Sequence, residues 1–485
     1  MSGFSILLII VVYFSILWLI SYIVGKKNTD NNAFFLGNKQ SPWWVVAIGM
    51  VGSSISGVSF VSVPGMVGKI DFTYMQTVFG FFIGYLIIAN VLLPLYYKMN
   101  LTSIYTYLEK RFGKYSYKTG ASFFLLSRII GSGVRLYLVT MILQHLIFDA
   151  WHIPFVVTAL TAVFMIWLYT HRSGIKTIVW TDTLQTICLI SALVLMVFQI
   201  SKQLNFTTSE FFQHIFKYEH SRIFVFDDWH SKQNFFKQFF SGIFIAIVMT
   251  GLDQDMMQKN LTCRNLRDAK KNMYWYGITF VPLNLLFLML GAMLLMLATK
   301  NNIALPVTTD EILPLFATKF LGPVVTFLFV IGIIAATFAS SDSALASMTT
   351  SFSVDILGVQ HDEPKVAVRK RKLTHIGMSV LFVVIMLIFK VLNNKSIIDA
   401  IYTIVSYTYG PLLGMFAFGL FTKRQVRDKV VPLVAVSSPL ICYGLNILST
   451  RVFNYALGYE LLIVNGLITF CGMYLLSLKL RNVNL

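Results

Sequence analysis

Four charged residues lie within stretches of the chain that are otherwise apolar. Asp182 belongs to the segment WTDTLQ, Asp342 belongs to SSDS, and Arg128 and Arg135 share a third stretch. A carboxylate at the centre of a bilayer costs at least ~3 kcal/mol on insertion scales, so such residues tend to be kept for function. The aspartates therefore indicate a polar site inside the membrane. The alternative is that both face a cytoplasmic vestibule, where they only cap or pair.

The two arginines would lie on the same face of a helix, about two turns apart. A guanidinium that faces a central cavity would favour an anionic solute, because it can pair with a carboxylate through two hydrogen bonds. Arg135 is the candidate for this contact. Two alternatives remain open, since Arg128 can extend toward the inner surface and either arginine can form an internal salt bridge, for example with Asp182.

The second apolar stretch contains the segment GSSISG at 52–57 and then Pro64-Gly65. Glycine and serine at this density weaken a helix and free backbone carbonyls. In a bilayer such a break is tolerated where the backbone lines a cavity or binds something. A packing face of small residues explains the same pattern equally well.

Polar side chains near this break are candidates for binding a solute. Aromatic residues in a membrane bundle are more often packing residues than binding surfaces, so an aromatic candidate has packing as its alternative. The candidates are Ser54, Ser56 and Ser59 on the second stretch, and Gln76 and Phe79 on the third.

All of these residues require membrane helices to position them. Of the 485 residues, 56% are hydrophobic and 12% are charged, whereas an average soluble domain is about a quarter charged. Runs near or above the roughly 20 residues that cross a bilayer recur throughout, which predicts an all-α polytopic membrane protein with about thirteen transmembrane helices. The predicted spans are 4–25, 42–68, 73–97, 119–147, 153–170, 177–200, 238–257, 273–298, 323–349, 374–392, 397–421, 430–448 and 460–478.

The formal net charge of +18 is explained by the positions of the basic residues. Most of them fall in alternate loops, including a group from Lys259 to Lys271 and another from Lys365 to Lys372. The positive-inside rule then places the N-terminus outside and the C-terminus in the cytoplasm. We expect contact with lipid and no binding of nucleic acid. The small loops favour a bacterial inner membrane.

The chain is predicted to form one transmembrane domain, 1–485. A first helix and inner loop occupy 1–41, a polar outer segment that is either a lid helix or an ordered loop occupies 201–237, and C-terminal helices occupy 422–485.

We predict no enzyme activity and no cofactor, because no HExxH, GxSxG or cysteine-histidine constellation is present.

Five segments, in order, resemble the sodium:solute symporter family, which includes the sodium/glucose, proline and sialic acid symporters. They are FFLGNKQSPWWVVAIGMVGSSISGVSFVSVPG (34–65), LTSIYTYLEKRFG (101–113), GIKTIVWTDTLQ (174–185), GLDQDMMQKNLTCRNLRDAKK (251–271) and AATFASSDSALASMTTSFSVDILG (335–358). The resemblance implies a leucine-transporter-like core. In it, 42–200 and 238–421 form two inverted repeats of five helices around a central site.

The resemblance also implies a primary sodium site between the second and ninth spans. Its carbonyl ligands fall on Gly52, Ile55 and Ala336, and its hydroxyl pair falls on Ala339 and Ser340. The chain departs from the family pattern at Ala339, which carries no hydroxyl. Carbonyl and hydroxyl oxygens suit a hard cation such as Na+.

Some members of the family carry a second sodium site, and its positions fall on Asp182, Asp342 and Ser343. Two carboxylates would point toward this site here. They can hold sodium tightly, share a proton, or form a salt bridge with a nearby base.

The function that follows is secondary active transport, in which Na+ and a small organic solute, anionic or sugar-like, are carried by alternating access. The membrane potential alone supplies ~2.3 kcal/mol per charge per 100 mV. A membrane sensor that keeps the transporter fold without net transport is the alternative. The expected partners are therefore the solute, Na+ and lipid.

Overall fold

The computed structural model describes residues 3–25, 30–171, 174–206, 211–392, 397–455 and 457–478. Apolar helices occupy the positions of all thirteen predicted spans, and two of those spans consist of two helices each. The helices are α1 (Gly3–Gly25), α2 (Trp43–Ser54), α3 (Gly57–Gly65), α4 (Tyr74–Lys98), α5 (Lys114–Leu143), α6 (Phe155–Thr170), α7 (Ile175–Leu204), α8 (Phe235–Gly251), α9 (Gln254–Leu261), α10 (Leu266–Lys300), α11 (Gly322–Ile356), α12 (Pro364–Leu392), α13 (Ile397–Phe421), α14 (Val431–Phe453) and α15 (Leu461–Leu475).

Within these described ranges, nine helices are long and apolar enough to cross a membrane. Each of the bent pairs α2/α3 and α8/α9 adds one span if it is counted as a unit. The two remaining predicted spans correspond to the shorter apolar helices α6 and α15. The all-α, polytopic architecture that hydropathy predicts is therefore confirmed.

Shorter elements connect the spans. Two short strands pair in an antiparallel ribbon between the end of α13 and the end of the described chain. The connecting elements are the helical segments Asn31–Leu36, Gly37–Lys39, Val67–Ile70, Thr106–Arg111, Gln144–Phe148, Asp149–Trp151, Phe211–Phe216, Glu219–Ser221, Thr309–Glu311, Ile312–Leu315, Phe316–Phe320, Val359–His361 and Asp428–Val430, and the strands β1 (Gln425–Val426) and β2 (Ser477–Leu478).

Two spans are broken, and each is the first span of one predicted repeat. The α2/α3 pair bends by 58° and the α8/α9 pair bends by 62°. The first break was expected from the GSSISG segment. The sequence predicted the second as a continuous span over 238–257, whereas the helix ends at Gly251 and resumes at Gln254. A break in both spans matches the inverted repeats of a leucine-transporter-like core.

Helix α11 lies at the centre of the bundle and is buried along most of its length. Its alanines, serines and threonines let neighbouring backbones come close, as small residues do in membrane proteins. Gly57 of α3, for example, lies so near α11 that an added Cβ would stand 1.9 Å from the Thr337 hydroxyl oxygen. The break in α2/α3 is therefore packed directly on α11.

In its described part, the outer segment 201–237 consists of the end of α7, two short helical segments, Phe211–Phe216 and Glu219–Ser221, a loop, and the start of α8. Gln76 of α4 ties it down, because its amide donates to the Gln233 carbonyl at 2.8 Å and accepts from the Val225 N–H at 3.1 Å. The loop is thus attached to the bundle through α4.

Candidate functional site

The first break exposes backbone carbonyls inside the bundle. Ile55 leaves the helical conformation, with φ −86° and ψ 83°. In a continuous helix the Ser59 N–H would bond to the Ile55 carbonyl, but here it bonds to the Ser56 side chain at 3.5 Å. Ser56 therefore caps α3, and the carbonyls at the end of α2 are left to other partners.

A turn of α11 faces this break. Ala336, Ala339 and Ser340 are all buried on it. The Ser340 hydroxyl donates to the Thr337 carbonyl at 2.9 Å, which leaves the lone pairs of its oxygen available. The side-chain oxygens of Thr337 and Ser341 are buried and have no hydrogen-bond partner among the described residues.

These oxygens fit a hard cation. The break supplies carbonyls at Gly52 and Ile55, and the facing turn of α11 supplies the Ser340 hydroxyl and the Ala336 carbonyl, while Ala339 has no side-chain oxygen to offer. Two further hydroxyls on this part of α11, those of Thr337 and Ser341, are buried without a partner among the described residues. The structure thus brings the primary-site residues of α2 to the same buried region as those of α11.

The second break is stabilised by buried charges. Asp253 caps α9 by accepting from the Asp255 N–H at 2.9 Å. Arg128 binds the Asp253 carboxylate with two hydrogen bonds, of 2.9 and 2.6 Å, and also lies 3.1 Å from an Asp255 oxygen. The Tyr409 hydroxyl donates to the same Asp253 carboxylate. Arg128 therefore forms the internal salt bridge that the sequence left open, but with Asp253 and Asp255 and not with Asp182.

Asp182 pairs instead with Lys259, whose side chain is 1% exposed. The Lys259 ammonium lies 2.6 Å from Oδ2 of Asp182 and also donates to the Ser53 hydroxyl. Two hydroxyls also contact Oδ2 of Asp182: that of Ser53 lies 2.9 Å away, and that of Ser343 donates to Oδ2 at 3.2 Å. The assignment of Lys259 to a cytoplasmic loop is wrong, because α9 continues the broken span inward and carries this lysine into the bundle.

Asp342 lies in the same buried region but has its own partners. The Tyr169 hydroxyl donates to Oδ2 at 2.9 Å, and the backbone N–H of Ser343 donates to Oδ1 at 2.5 Å. Asp182 and Ser343 are thus in contact, Asp342 precedes Ser343 on α11, and of the alternatives that the sequence left open Asp182 forms the salt bridge with a base, Lys259.

A cavity of about 80 Å³ lies between the two breaks. Three of the predicted solute-binding residues line it, namely Ser54, Ser59 and Arg135. The Ser54 hydroxyl is hydrogen-bonded to the Tyr276 hydroxyl at 2.7 Å. The other lining residues are Ser53, Ile55, Tyr74, Phe81, Tyr85, Arg128, Ile245, Ala246, Met249, Thr250, Met256, Tyr276, Phe280 and Asn284.

The other three candidates lie outside this cavity. Ser56 caps α3, Gln76 holds the outer loop, and the Phe79 ring stacks on Phe224 with 6.1 Å between centroids. Each of the three thus has a structural contact away from the cavity wall, through a hydrogen bond for Ser56 and Gln76 and through ring stacking for Phe79.

A wider vestibule of about 530 Å³ lies on the side of the outer loop. Lys69, Lys232 and Asp310 line it. Tyr74 lines both the vestibule and the cavity, so the two spaces adjoin at this residue.

The sequence reasoning missed Asp253, Asp255 and Lys259 as buried residues. The signal was present in the segment DQDMMQK, where three charges follow an apolar run directly. These charges indicate the start of a loop in a hydropathy profile. Hydropathy alone does not distinguish a helix that breaks and then continues from a helix that ends. Tyr276 was missed because an aromatic residue within an apolar span usually indicates packing.

Comparisons with known proteins agree with this geometry. The sequence profile of the sodium:solute symporter family matches residues 34–428. A sodium/sialic acid symporter of Proteus mirabilis is 24% identical over 88% of this chain and 86% of its own. A sodium/sialic acid symporter of Aliivibrio fischeri is 24% identical over 94% of this chain and 91% of its own.

The fold is also that of a solved structure of a Na+-coupled sialic acid symporter in a substrate-bound, outward-open state, with a TM-score of 0.84 and 20% identity over 99% of both chains. The predicted leucine-transporter-type fold is confirmed. So are sodium-coupled symport and the assignment to transporters rather than enzymes. The chain is a member of the sodium:solute symporter family.

Proposed function

We propose that the solute carried with Na+ is a small carboxylate of the sialic acid kind, bound in the cavity between the two breaks. The observation that carries the proposal is the position of Arg135 in the cavity wall. A guanidinium in the wall can bind the carboxylate of a solute through two parallel hydrogen bonds, which a neutral side chain cannot do.

The rest of the wall suits a hydroxylated solute. Ser59 and Asn284 offer a hydroxyl and an amide, and three tyrosines surround them, Tyr74, Tyr85 and Tyr276. Hydroxyl and amide groups can both donate and accept hydrogen bonds, so they match the hydroxyl groups of a sugar acid. The relatives named as sialic acid symporters support the same class of solute.

Na+ binds, in this proposal, at the carbonyls of Gly52, Ile55 and Ala336 and at the Ser340 hydroxyl, with Ala339 at the position of the missing second hydroxyl. The same break that frees the Gly52 and Ile55 carbonyls presents Ser54 and Ser59 to the solute cavity. Na+ and solute are thereby coupled, because each favours one arrangement of the broken α2/α3 pair. Alternating access then follows from movement of the two repeats, 42–200 and 238–421, around the site.

The test is uptake into proteoliposomes of labelled N-acetylneuraminate, with an inward Na+ gradient and with choline in its place. We expect uptake only with Na+, and competition by carboxylated sugars but not by glucose. Arg135→Met should abolish uptake and leave the Na+-dependent rise in melting temperature intact. Arg222→Met, in the exposed outer loop, is the matched control and should transport normally. Equal inhibition by glucose and by a sugar acid would contradict a carboxylate solute.

The orientation in a bacterial inner membrane, with the N-terminus outside, also belongs to this proposal. The basic segment 365–372 at the start of α12 supports it. A cysteine placed at Lys370, whose side chain is 42% exposed, should resist an impermeant maleimide added to intact cells and react after lysis. A cysteine at Asp228 in the outer loop should react before lysis. The reverse pattern would invert the topology.

A further inference from the structure

The ammonium group of Lys259 lies among the residues predicted to bind a second cation. It is 2.6 Å from Oδ2 of Asp182, and the Ser343 hydroxyl donates to that same oxygen at 3.2 Å. The Ser53 hydroxyl contacts both the ammonium and the carboxylate. A lysine ammonium carries the same charge as Na+ and prefers the same oxygen partners.

The residues present do not fit a second Na+ in addition to this ammonium. A cation bound at Oδ2 of Asp182 would lie against the like charge of Lys259, which disfavours it. Asp342, the other carboxylate, already accepts from the Tyr169 hydroxyl and the Ser343 N–H. The second oxygen of Asp182, Oδ1, has no partner among the described residues, but one oxygen falls short of the several that a hard cation takes.

We propose that Lys259 is the resident cation of this second site, so that each transport cycle carries a single Na+, bound at the primary site. The inference rests on the proposed function for that primary site. Because the lysine is tethered to α9, its charge stays in the protein when the solute leaves. Cotransport of a solute with one negative charge would then move no net charge across the membrane.

The contacts of Lys259 also give it a positioning role. Ser53 lies in the last turn of α2, Asp182 on α7, Lys259 on α9 and Ser343 on α11, so two helices of each repeat meet at one ion pair. The ion pair joins the inner halves of the two broken spans. Na+ at this position would have to come from solution, whereas the lysine is part of the chain.

The number of bound Na+ ions can be read from stability. A ligand that binds only the folded protein raises its stability with the logarithm of ligand concentration, and the limiting slope counts the ions bound. The experiment measures the free energy of unfolding of the full chain in detergent against the logarithm of Na+ concentration, with choline keeping ionic strength constant. The wild type should give the slope of one ion.

Lys259→Met should open Asp182 and Ser343 to Na+ and double that slope. Adding Ser343→Ala to this variant should return the slope to that of one ion, and Lys259→Arg should leave it at one throughout. The double variant Asp182→Asn with Lys259→Met removes both members of the ion pair together, so neither is left buried without its partner; it should fold and also show one ion.

A wild-type slope of two ions would overturn the proposal, even if Lys259→Met failed to fold. A slope of one in a folded Lys259→Met protein would overturn it as well. A wild-type slope of zero would contradict the primary Na+ site, and therefore the proposed function. This outcome differs from the slope of two ions that would overturn only the role of Lys259.

Discussion

The two broken spans have similar bends, 58° and 62°, but they differ in what stabilises the break. At the α2/α3 break the groups that the broken span itself supplies are neutral carbonyls and serine hydroxyls, and its Ser53 contacts the Lys259–Asp182 ion pair. At the α8/α9 break the span supplies charged groups, because Asp253 and Asp255 pair with Arg128. The same backbone geometry is therefore held by two different chemistries.

The difference follows from what each break has to do. Neutral oxygens can bind Na+ and release it again, since no fixed counter-charge holds the ion. Buried ion pairs are poor at release, because separating them leaves an uncompensated charge in a medium of low dielectric constant. The first break therefore suits an exchangeable cation, and the second suits a fixed scaffold for the solute cavity.

The largest effect is expected from breaking the charged scaffold. Arg128→Met leaves Asp253 and Asp255 buried without their partner, which should lower the free energy of unfolding by about 3–5 kcal/mol. Thermal unfolding of the purified protein measures it. Arg222, which pairs with Asp227 on the exposed outer loop, is the control, and Arg222→Met should cost less than about 1 kcal/mol. Similar losses in the two variants would show that the buried Arg128 ion pair contributes no more to stability than the exposed Arg222 pair.

A smaller effect is expected from crowding the neutral break. A Cβ on Gly52 would lie 2.0 Å from the Thr186 hydroxyl oxygen, so Gly52→Ala should destabilise by about 1–3 kcal/mol and weaken the response to Na+. Removing that oxygen with Thr186→Ala should restore part of both losses. Gly131→Ala on α5, where nothing lies within 4 Å of the added carbon, should fold at least as stably as the wild type. Wild-type stability and a full Na+ response in Gly52→Ala would show that the close contact between Gly52 and Thr186 is not required.

The third effect concerns Na+ affinity alone. Ser340→Ala removes the one side-chain ligand of the proposed primary site and should weaken Na+ binding roughly tenfold, about 1.4 kcal/mol. Solute affinity should be less enhanced by Na+, because linkage is reciprocal. Ser347 is the matched control, since it lies on the same helix, is equally buried and donates to the Ala344 carbonyl at 3.0 Å. Identical Na+ titrations for the two alanine variants would exclude Ser340 as a ligand.

The smallest effect is expected at Asp342. Its partners are a tyrosine hydroxyl and a backbone N–H, and an asparagine oxygen can accept one of these bonds. Asp342→Asn should therefore change stability by less than about 1 kcal/mol and leave the Na+ titration nearly unchanged. Asp182→Asn, which strands the Lys259 charge, is the contrasting variant. A large loss of Na+ response in Asp342→Asn would place a cation at Asp342.

Long apolar runs predicted the spans and the helical class, because a bilayer allows few other structures. The GSSISG segment predicted the first break, since glycine and serine weaken a helix locally. The second break has a local signal in the N-cap residue Asp253, which follows Gly251, but this pattern also fits a helix that simply ends. That the span continues inside the bundle depends on Arg128, which lies far away in the sequence on α5 and pairs with Asp253.

The sequence by itself determined which residues carry charge and hydroxyl groups in the membrane, and in which spans they lie. Those properties depend on composition along a single helix. Only the tertiary structure decided that Lys259 pairs with Asp182 and Arg128 with Asp253, and that Arg135 reaches the cavity while Gln76 does not. Partners in an ion pair come from different helices, and helix packing, rather than spacing along the chain, sets which charges meet.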